Sequence, residues 1–125
     1  MKYAMVVYSM VVLGLTSVAQ KPSGSTVYRH VVLFSFKATS SVAEVENVAK
    51  GFAALYGKVP QVKAFEWGVN NSPENLNQGF THCFVLSFSS EKDLADYQLH
   101  PAHLDFQKLL KPHMDKVFVV DYWAK

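Results

Sequence analysis

The sequence predicts an α+β domain with one four-stranded antiparallel sheet, in the order β-α-β-β-α-β that is called ferredoxin-like. Three observations support this fold class. Segments rich in β-branched and aromatic residues, each with two alternating sides, lie at 27–37, 62–69, 80–88 and 117–123. Helical patterns follow the first and third of these segments, whereas only a polar loop separates the second from the third. Helices on both outer connections would cover one face of the sheet.

The first strand and first helix have clear patterns. One side of the strand, expected to face the helices, carries Tyr28, His30, Val32, Phe34 and Phe36. Ser41 followed three residues later by Glu44 forms a capping box, which predicts that a helix begins there. Its apolar positions at helical spacing are Val45, Val48, Ala49, Phe52 and Tyr56. Gly57 is placed to end this helix, because glycine readily adopts the left-handed conformation common at helix ends.

The second half of the domain repeats the alternation and adds a broken helix. The third strand should present His82, Phe84, Leu86 and Phe88 to the helices. Ser90 can cap a short helix that ends near Leu99. Pro101 suits the first turn of a further helix, where its missing N–H costs nothing. That helix is expected to bury Phe106, Leu109 and Leu110.

Three of the strands carry apolar residues on both sides, which predicts assembly. The second set contains Val31 and Leu33, Cys83 and Val85, and, by the same alternation, Val117 and Val119. Two helical segments can cover only one face of a four-stranded sheet, so the other face needs a different cover. A second copy of the chain is the simplest cover, and we expect a homodimer that joins through the sheet face.

The first 19 residues have the pattern of an export signal. Lys2 precedes an uncharged, largely apolar run from Tyr3 to Leu15, and Ser17 and Ala19 provide small residues at a cleavage site. The run is shorter than the roughly 20 residues that span a bilayer. We therefore expect residues 1–19 to be removed and the mature protein to be periplasmic or secreted, without a stable membrane anchor. Residues 20–26 have linker composition, and 27–123 form the domain.

Charge and cysteine content exclude several classes of function. A formal net charge of +2 without a basic run is unlike a nucleic-acid-binding surface. Cys83 is the only cysteine, so no intramolecular disulfide can form. Its apolar neighbours suggest a buried thiol that acts as a small hydrophobic side chain.

Three motifs resemble the stress-responsive A/B barrel family, called Dabb. They are RHVVLFSFK at 29–37, GFTHCFVLSF at 79–88 and DYQLHPAH at 96–103, and the resemblance extends over 27–123. It implies a dimeric α/β barrel of two ferredoxin-like subunits. The sequence is also similar to a plant member that is a cofactor-free polyketide cyclase, which implies catalytic roles for Tyr97 and His103 and a pocket position for His30. Phe52 stands where that cyclase has a pocket tyrosine.

The alternation argument predicts a small-molecule pocket. His30 and His82 lie on the helix-covered face, and Tyr97 and His103 should reach it from the helical layer. Polar groups in an apolar cavity are typical of ligand sites. The expected wall consists of Val32, Phe34, Phe52, Phe84, Leu86 and Phe106. The alternative interpretation is a hydrogen-bonded buried network without a ligand.

Several functions remain open for this pocket. An acid–base enzyme acting on an apolar carbonyl compound would use neutral His103 as base and Tyr97 as hydrogen-bond donor, with no cofactor. A non-catalytic dimeric ligand-binding or stress-response module is the alternative. A haem or cofactor-free monooxygenase is a further one, with His103 or His113 as the axial ligand for haem. A metal site at His100 and His103 is disfavoured because Pro101 interrupts the helix between them, and His100 is instead expected to cap or pack.

Overall fold

A computed structural model describes residues 26–125, so the predicted export signal and residues 20–25 of the linker lie outside the described part. The four strands form one antiparallel sheet in the order β2-β3-β1-β4. The elements are β1 (Tyr28–Phe36), α1 (Val42–Ala53), α2 (Leu55–Lys58), β2 (Ala64–Val69), β3 (His82–Phe88), α3 (Glu91–Leu99), α4 (Pro101–Leu110) and β4 (Met114–Trp123). The predicted ferredoxin-like α+β fold is confirmed. Within 26–125, no helix is long and apolar enough to cross a membrane.

The start of α1 is the predicted capping box, but its end differs from the prediction. Glu44 N donates to Ser41 Oγ at 3.1 Å, and Ser41 N donates to Glu44 Oε1 at 2.8 Å. The helix ends at Ala53, and Gly57 lies within α2 instead of ending α1. The interruption at Ala54 turns Leu55 into the core, while Tyr56, predicted on the apolar face, is 54% exposed. Leu55, and not Tyr56, therefore joins the core at this end of the helical segment.

The junction between α3 and α4 is set by a proline. His100 precedes Pro101 and has extended backbone angles, φ −64° and ψ 137°, because a residue before proline disfavours the helical region. Ala102 N donates to His100 Nδ1 at 3.0 Å, so the imidazole caps α4. The capping role predicted for His100 is confirmed.

The core lies between the sheet and the helices. Strands β1 and β3 contribute Val32, Phe34, Phe84, Leu86 and Phe88, and the helices contribute Val48, Ala49, Phe52, Phe106 and Leu110, all of them buried. The two main helices approach closely at Gly51, where an added Cβ would lie 2.7 Å from Leu109 Cδ2. Larger side chains there would push α1 away from α4.

The pairing of β4 corrects one prediction about the faces of the sheet. Val117 pairs with Phe34 and Val119 with Val32, and cross-strand partners share a face, so both valines lie on the helix side. The outer face of β4 instead carries Phe118 and Val120, which are 52% and 42% exposed. They continue the apolar outer surface that β1 and β3 form. The prediction of an apolar outer face holds, with different β4 residues.

Candidate functional site

A cavity of about 290 Å³ lies between the helix-side face of β1 and β4 and helices α1, α3 and α4. Seven predicted site residues line it: His30, Val32, Phe34, Phe52, Tyr97, His103 and Phe106. The lining residues that sequence reasoning missed are Gln98, Gln107, Leu110, Met114, Val117, Val119 and Asp121. The structure thus brings together both predicted catalytic residues and most of the predicted wall.

Three predicted pocket residues lie elsewhere. Phe84 and Leu86 are fully buried in the core, because β3 lies between β1 and β2 and is covered by packed side chains. His82 stacks against Trp67 with ring centroids 6.1 Å apart, and its Nδ1 lies 2.8 Å from Thr81 Oγ1. Burial lowers the pKa of His82. It borders a separate cavity near the loop between β2 and β3, so its predicted place in the pocket is wrong.

Tyr97 presents a buried phenol to the cavity. Its side chain is 1% exposed, and its ring lies 4.5 Å from the ring of His103 and 6.2 Å from that of His30. The Tyr97 hydroxyl makes no hydrogen bond with any residue of the described chain. Burial raises the pKa of this phenol well above its ordinary value. The phenol is therefore a protonated hydrogen-bond donor that has no acceptor among residues 26–125.

His103, the third residue of α4, is held as a neutral base. Its Nδ1 lies 3.0 Å from the main-chain oxygen of Gln98, and because a carbonyl only accepts, Nδ1 carries the proton. In the neutral ring, Nε2 is then free to accept a proton. Burial lowers the pKa of His103, the Gln98 hydrogen bond opposes this, and nearby His30 lowers it further. Burial is the largest of these causes, and it favours the neutral imidazole.

His30 forms a close pair with a residue that the sequence did not reveal. Asp121 is directly opposite His30 on β4, and His30 Nδ1 lies 2.6 Å from Asp121 Oδ1. The two side chains are 9% and 28% exposed. Asp121 lies on the same side of β4 as Val117 and Val119, the side that sequence analysis assigned to the outer face. The correct assignment of the two sides of β4 would have placed this carboxylate in the pocket.

The two remaining histidines of interest lie outside the cavity. His100 caps α4, and His113 Nδ1 lies 2.8 Å from Ser40 Oγ. Among residues 26–125, no group of three or more His, Cys, Asp or Glu side chains is arranged to hold a metal ion. The ionisable side chains that line the cavity are His30, Tyr97, His103 and Asp121.

The fold and this site define a small α+β domain with a polar cluster in an apolar pocket. The family model for the stress responsive A/B barrel domain, Dabb, matches residues 28–124, and the chain belongs to this family. The stress-response A/B barrel domain-containing protein HS1 of Arabidopsis thaliana is 44% identical over 94 residues, which are 75% of this chain and 86% of the relative. Olivetolic acid cyclase of Cannabis sativa is 29% identical over 94 residues, 75% of this chain and 93% of that enzyme.

Solved structures agree with this assignment. The hydroxynitrile lyase of Passiflora edulis has a TM-score of 0.76 and 26% identity, over 81% of this chain and 95% of that chain. A dimeric protein of unknown function and ferredoxin-like fold from Bacteroides fragilis has a TM-score of 0.65 and 25% identity, over 79% of this chain and 97% of that chain. The proteins that this chain resembles thus include enzymes named as a cyclase and a lyase, and a dimeric protein of ferredoxin-like fold.

Proposed function

We propose that this protein is a cofactor-independent acid–base enzyme, of cyclase or lyase type, that acts on a small apolar carbonyl compound. The observation that carries the proposal is the buried Tyr97 hydroxyl, which has no partner in the described chain and belongs to a side chain lining a cavity beside His103. An unpaired buried hydroxyl costs about 1–3 kcal/mol. Groups of this kind are rare in folded proteins, and a role toward a ligand or in catalysis is one of their recognised explanations.

The chemistry follows from the two protonation states. Neutral His103 takes a proton at Nε2 from the carbon next to the carbonyl, as a general base does. Negative charge then develops on the carbonyl oxygen, where the Tyr97 phenol donates a hydrogen bond. The resulting enolate carbon can attack a second carbonyl carbon of the same molecule. The new alkoxide takes back the proton from His103, so a ring forms with no net change in protons.

Relatives support the class of reaction without defining the substrate. One is named a cyclase and another a lyase, which agrees with a reaction of cyclase or lyase type. The rival function is a non-catalytic ligand-binding module. The close pair of His30 with Asp121 favours it, because these two groups satisfy each other. Measured proton transfer decides between the two functions.

The test uses exchange of carbon-bound protons. We would incubate heptan-2-one in D₂O with the protein and follow the loss of the proton signals next to the carbonyl by NMR. Tyr97→Phe and His103→Ala should each slow the protein-dependent exchange by about 10² or more. The matched control is His100→Asn, which removes an imidazole three positions from His103 and retains a good helix cap. Exchange at the uncatalysed rate with the parent protein would rule out the enzyme and leave the binding module.

We also propose that the protein is a homodimer joined through the outer sheet face. Phe118, Val120 and Tyr122 on β4 are 42–52% exposed in the single chain and continue the apolar surface of Val31 and Val85. An apolar patch of this kind marks an interaction surface. The dimeric state of the neighbour from Bacteroides fragilis supports a second copy as the partner.

Export completes the proposal. The apolar run and the Ser17-Val18-Ala19 pattern support removal of residues 1–19 and a periplasmic or secreted mature protein. Intact-mass measurement of protein recovered from the native host should give a chain that begins at Gln20. A mass that retains Met1 would contradict export by this signal.

A further inference from the structure

Charge is distributed unevenly along the cavity. Its ionisable side chains, His30, Tyr97, His103 and Asp121, come together where His30 faces Asp121 across β1 and β4. Among the described lining residues there is no lysine or arginine. A ligand with a carboxylate or phosphate would lose its hydration without gaining a cationic partner, which is costly. The site therefore favours a neutral ligand.

A second polar position lies one helical turn from the base. Gln107 follows His103 by four residues on α4, so the two side chains share a face about 6 Å apart along the helix axis. Gln107 is exposed at the cavity, where Met114, Val117 and Val119 of β4 offer no side-chain hydrogen bond. A polar ligand atom near this position would therefore meet a carboxamide, which is neutral and has both donors and an acceptor.

Gln98, the other carboxamide at the cavity, is less well placed. It directly follows Tyr97 on α3, and neighbouring helix positions do not face the same way. Its main-chain oxygen already holds His103 Nδ1. A change of the Gln98 side chain leaves that oxygen in place, which makes Gln98 a suitable comparison for Gln107.

We propose that Gln107 determines specificity by binding a second, neutral oxygen of the substrate. This inference rests on the proposed function and narrows its substrate class. The substrate is a neutral carbonyl compound with another ketone or hydroxyl oxygen four to five bonds from the carbon that His103 deprotonates, a span that matches one helical turn. A cavity of about 290 Å³ is at the lower end of the range for ligand pockets, so the compound is small.

The test compares ligands that differ only in the second oxygen. Dissociation constants would be measured by NMR titration for heptan-2-one, heptane-2,6-dione and 5-oxohexanoate, which has a carboxylate where the dione has its second ketone. One added hydrogen bond should make the dione bind roughly two- to tenfold tighter than heptan-2-one. The keto acid should bind more weakly than the dione.

Variants assign the preference to Gln107. Gln107→Leu should remove the advantage of the dione without weakening heptan-2-one, and Gln107→Glu should do the same because a carboxylate cannot donate to a ketone. Gln98→Leu should keep the advantage. Four results would overturn the inference. Two of them are equal binding of dione and monoketone by the parent, and an equal weakening of both in Gln107→Leu. The other two are tighter binding of the keto acid than of the dione, and no saturable binding of any ketone.

Binding and exchange separate this inference from the proposed function. Suppose that Gln107→Leu loses the preference for the dione while His103→Ala exchanges protons as fast as the parent. The binding role of Gln107 would then stand, and the proposal that the protein is an enzyme would fail. The reverse pattern, slow exchange in His103→Ala with no effect of Gln107→Leu on the dione, would remove only the role of Gln107.

Discussion

Replacing Tyr97 by phenylalanine should make the protein more stable and less active at the same time. The substitution keeps the ring that packs 5.1 Å from Phe88 and removes a hydroxyl that is buried without a hydrogen bond to the described chain. Such a group costs about 1–3 kcal/mol, so its removal should return roughly 1 kcal/mol or more. For a domain of 60–100 residues, about 1 kcal/mol raises Tm by roughly 4–8 °C.

Activity should change in the opposite direction. Loss of one donor to a developing oxyanion typically lowers kcat by about 10²–10³. We would therefore measure the thermal melt and the heptan-2-one exchange rate on the same preparations, at equal protein concentration because a dimer's Tm depends on it. Tyr56→Phe is the matched control, since that side chain is 54% exposed and should change neither value.

A fall in Tm would refute this reasoning. If Tyr97→Phe melts several degrees below the parent while Tyr56→Phe does not, the hydroxyl contributes a stabilising hydrogen bond and belongs to a structural network. Unchanged exchange in Tyr97→Phe would separately contradict its role as a donor to the reacting carbonyl.

Three further predictions concern pH, assembly and the helix cap. Burial lowers the pKa of His103 below its usual 6.5, so the stability that the neutral imidazole contributes is fully present above pH 6.5 and is lost as the pH falls through the lowered pKa. Between pH 7.5 and pH 5 the Tm should therefore fall less in His103→Gln than in the parent. An equal fall in Tm would contradict this prediction. Val85→Glu should sediment as a monomer because it would bury an unpaired carboxylate in the interface. The control Val42→Glu, at a site on α1 that is 88% exposed, should stay dimeric. A monomeric parent protein would contradict the proposed dimer. His100→Ala should cost about 1 kcal/mol in chemical denaturation and His100→Asn almost nothing, and equal effects would argue against capping.

Local patterns determined much of this protein before any contact was known. The Ser41–Glu44 box, the break at Pro101 and the cap at His100 each depend on a few neighbouring residues, and all three were predicted. Strand alternation likewise grouped His30, Val32 and Phe34 on one side of β1, because the side-chain period of a strand is a local property. The resemblance of the DYQLHPAH motif to the Dabb family indicated Tyr97 and His103 as pocket residues.

Tertiary structure decided what depends on partners distant in sequence. The register of β4 against β1 sets Asp121 opposite His30 and turns Val117 and Val119 into the pocket, and a strand's own alternation cannot say which of its two sides faces the helices. The position of β3 inside the sheet removed His82 from the site. That the Tyr97 hydroxyl finds no partner within residues 26–125 is likewise a tertiary fact, since whether a buried donor meets an acceptor depends on every element packed around it.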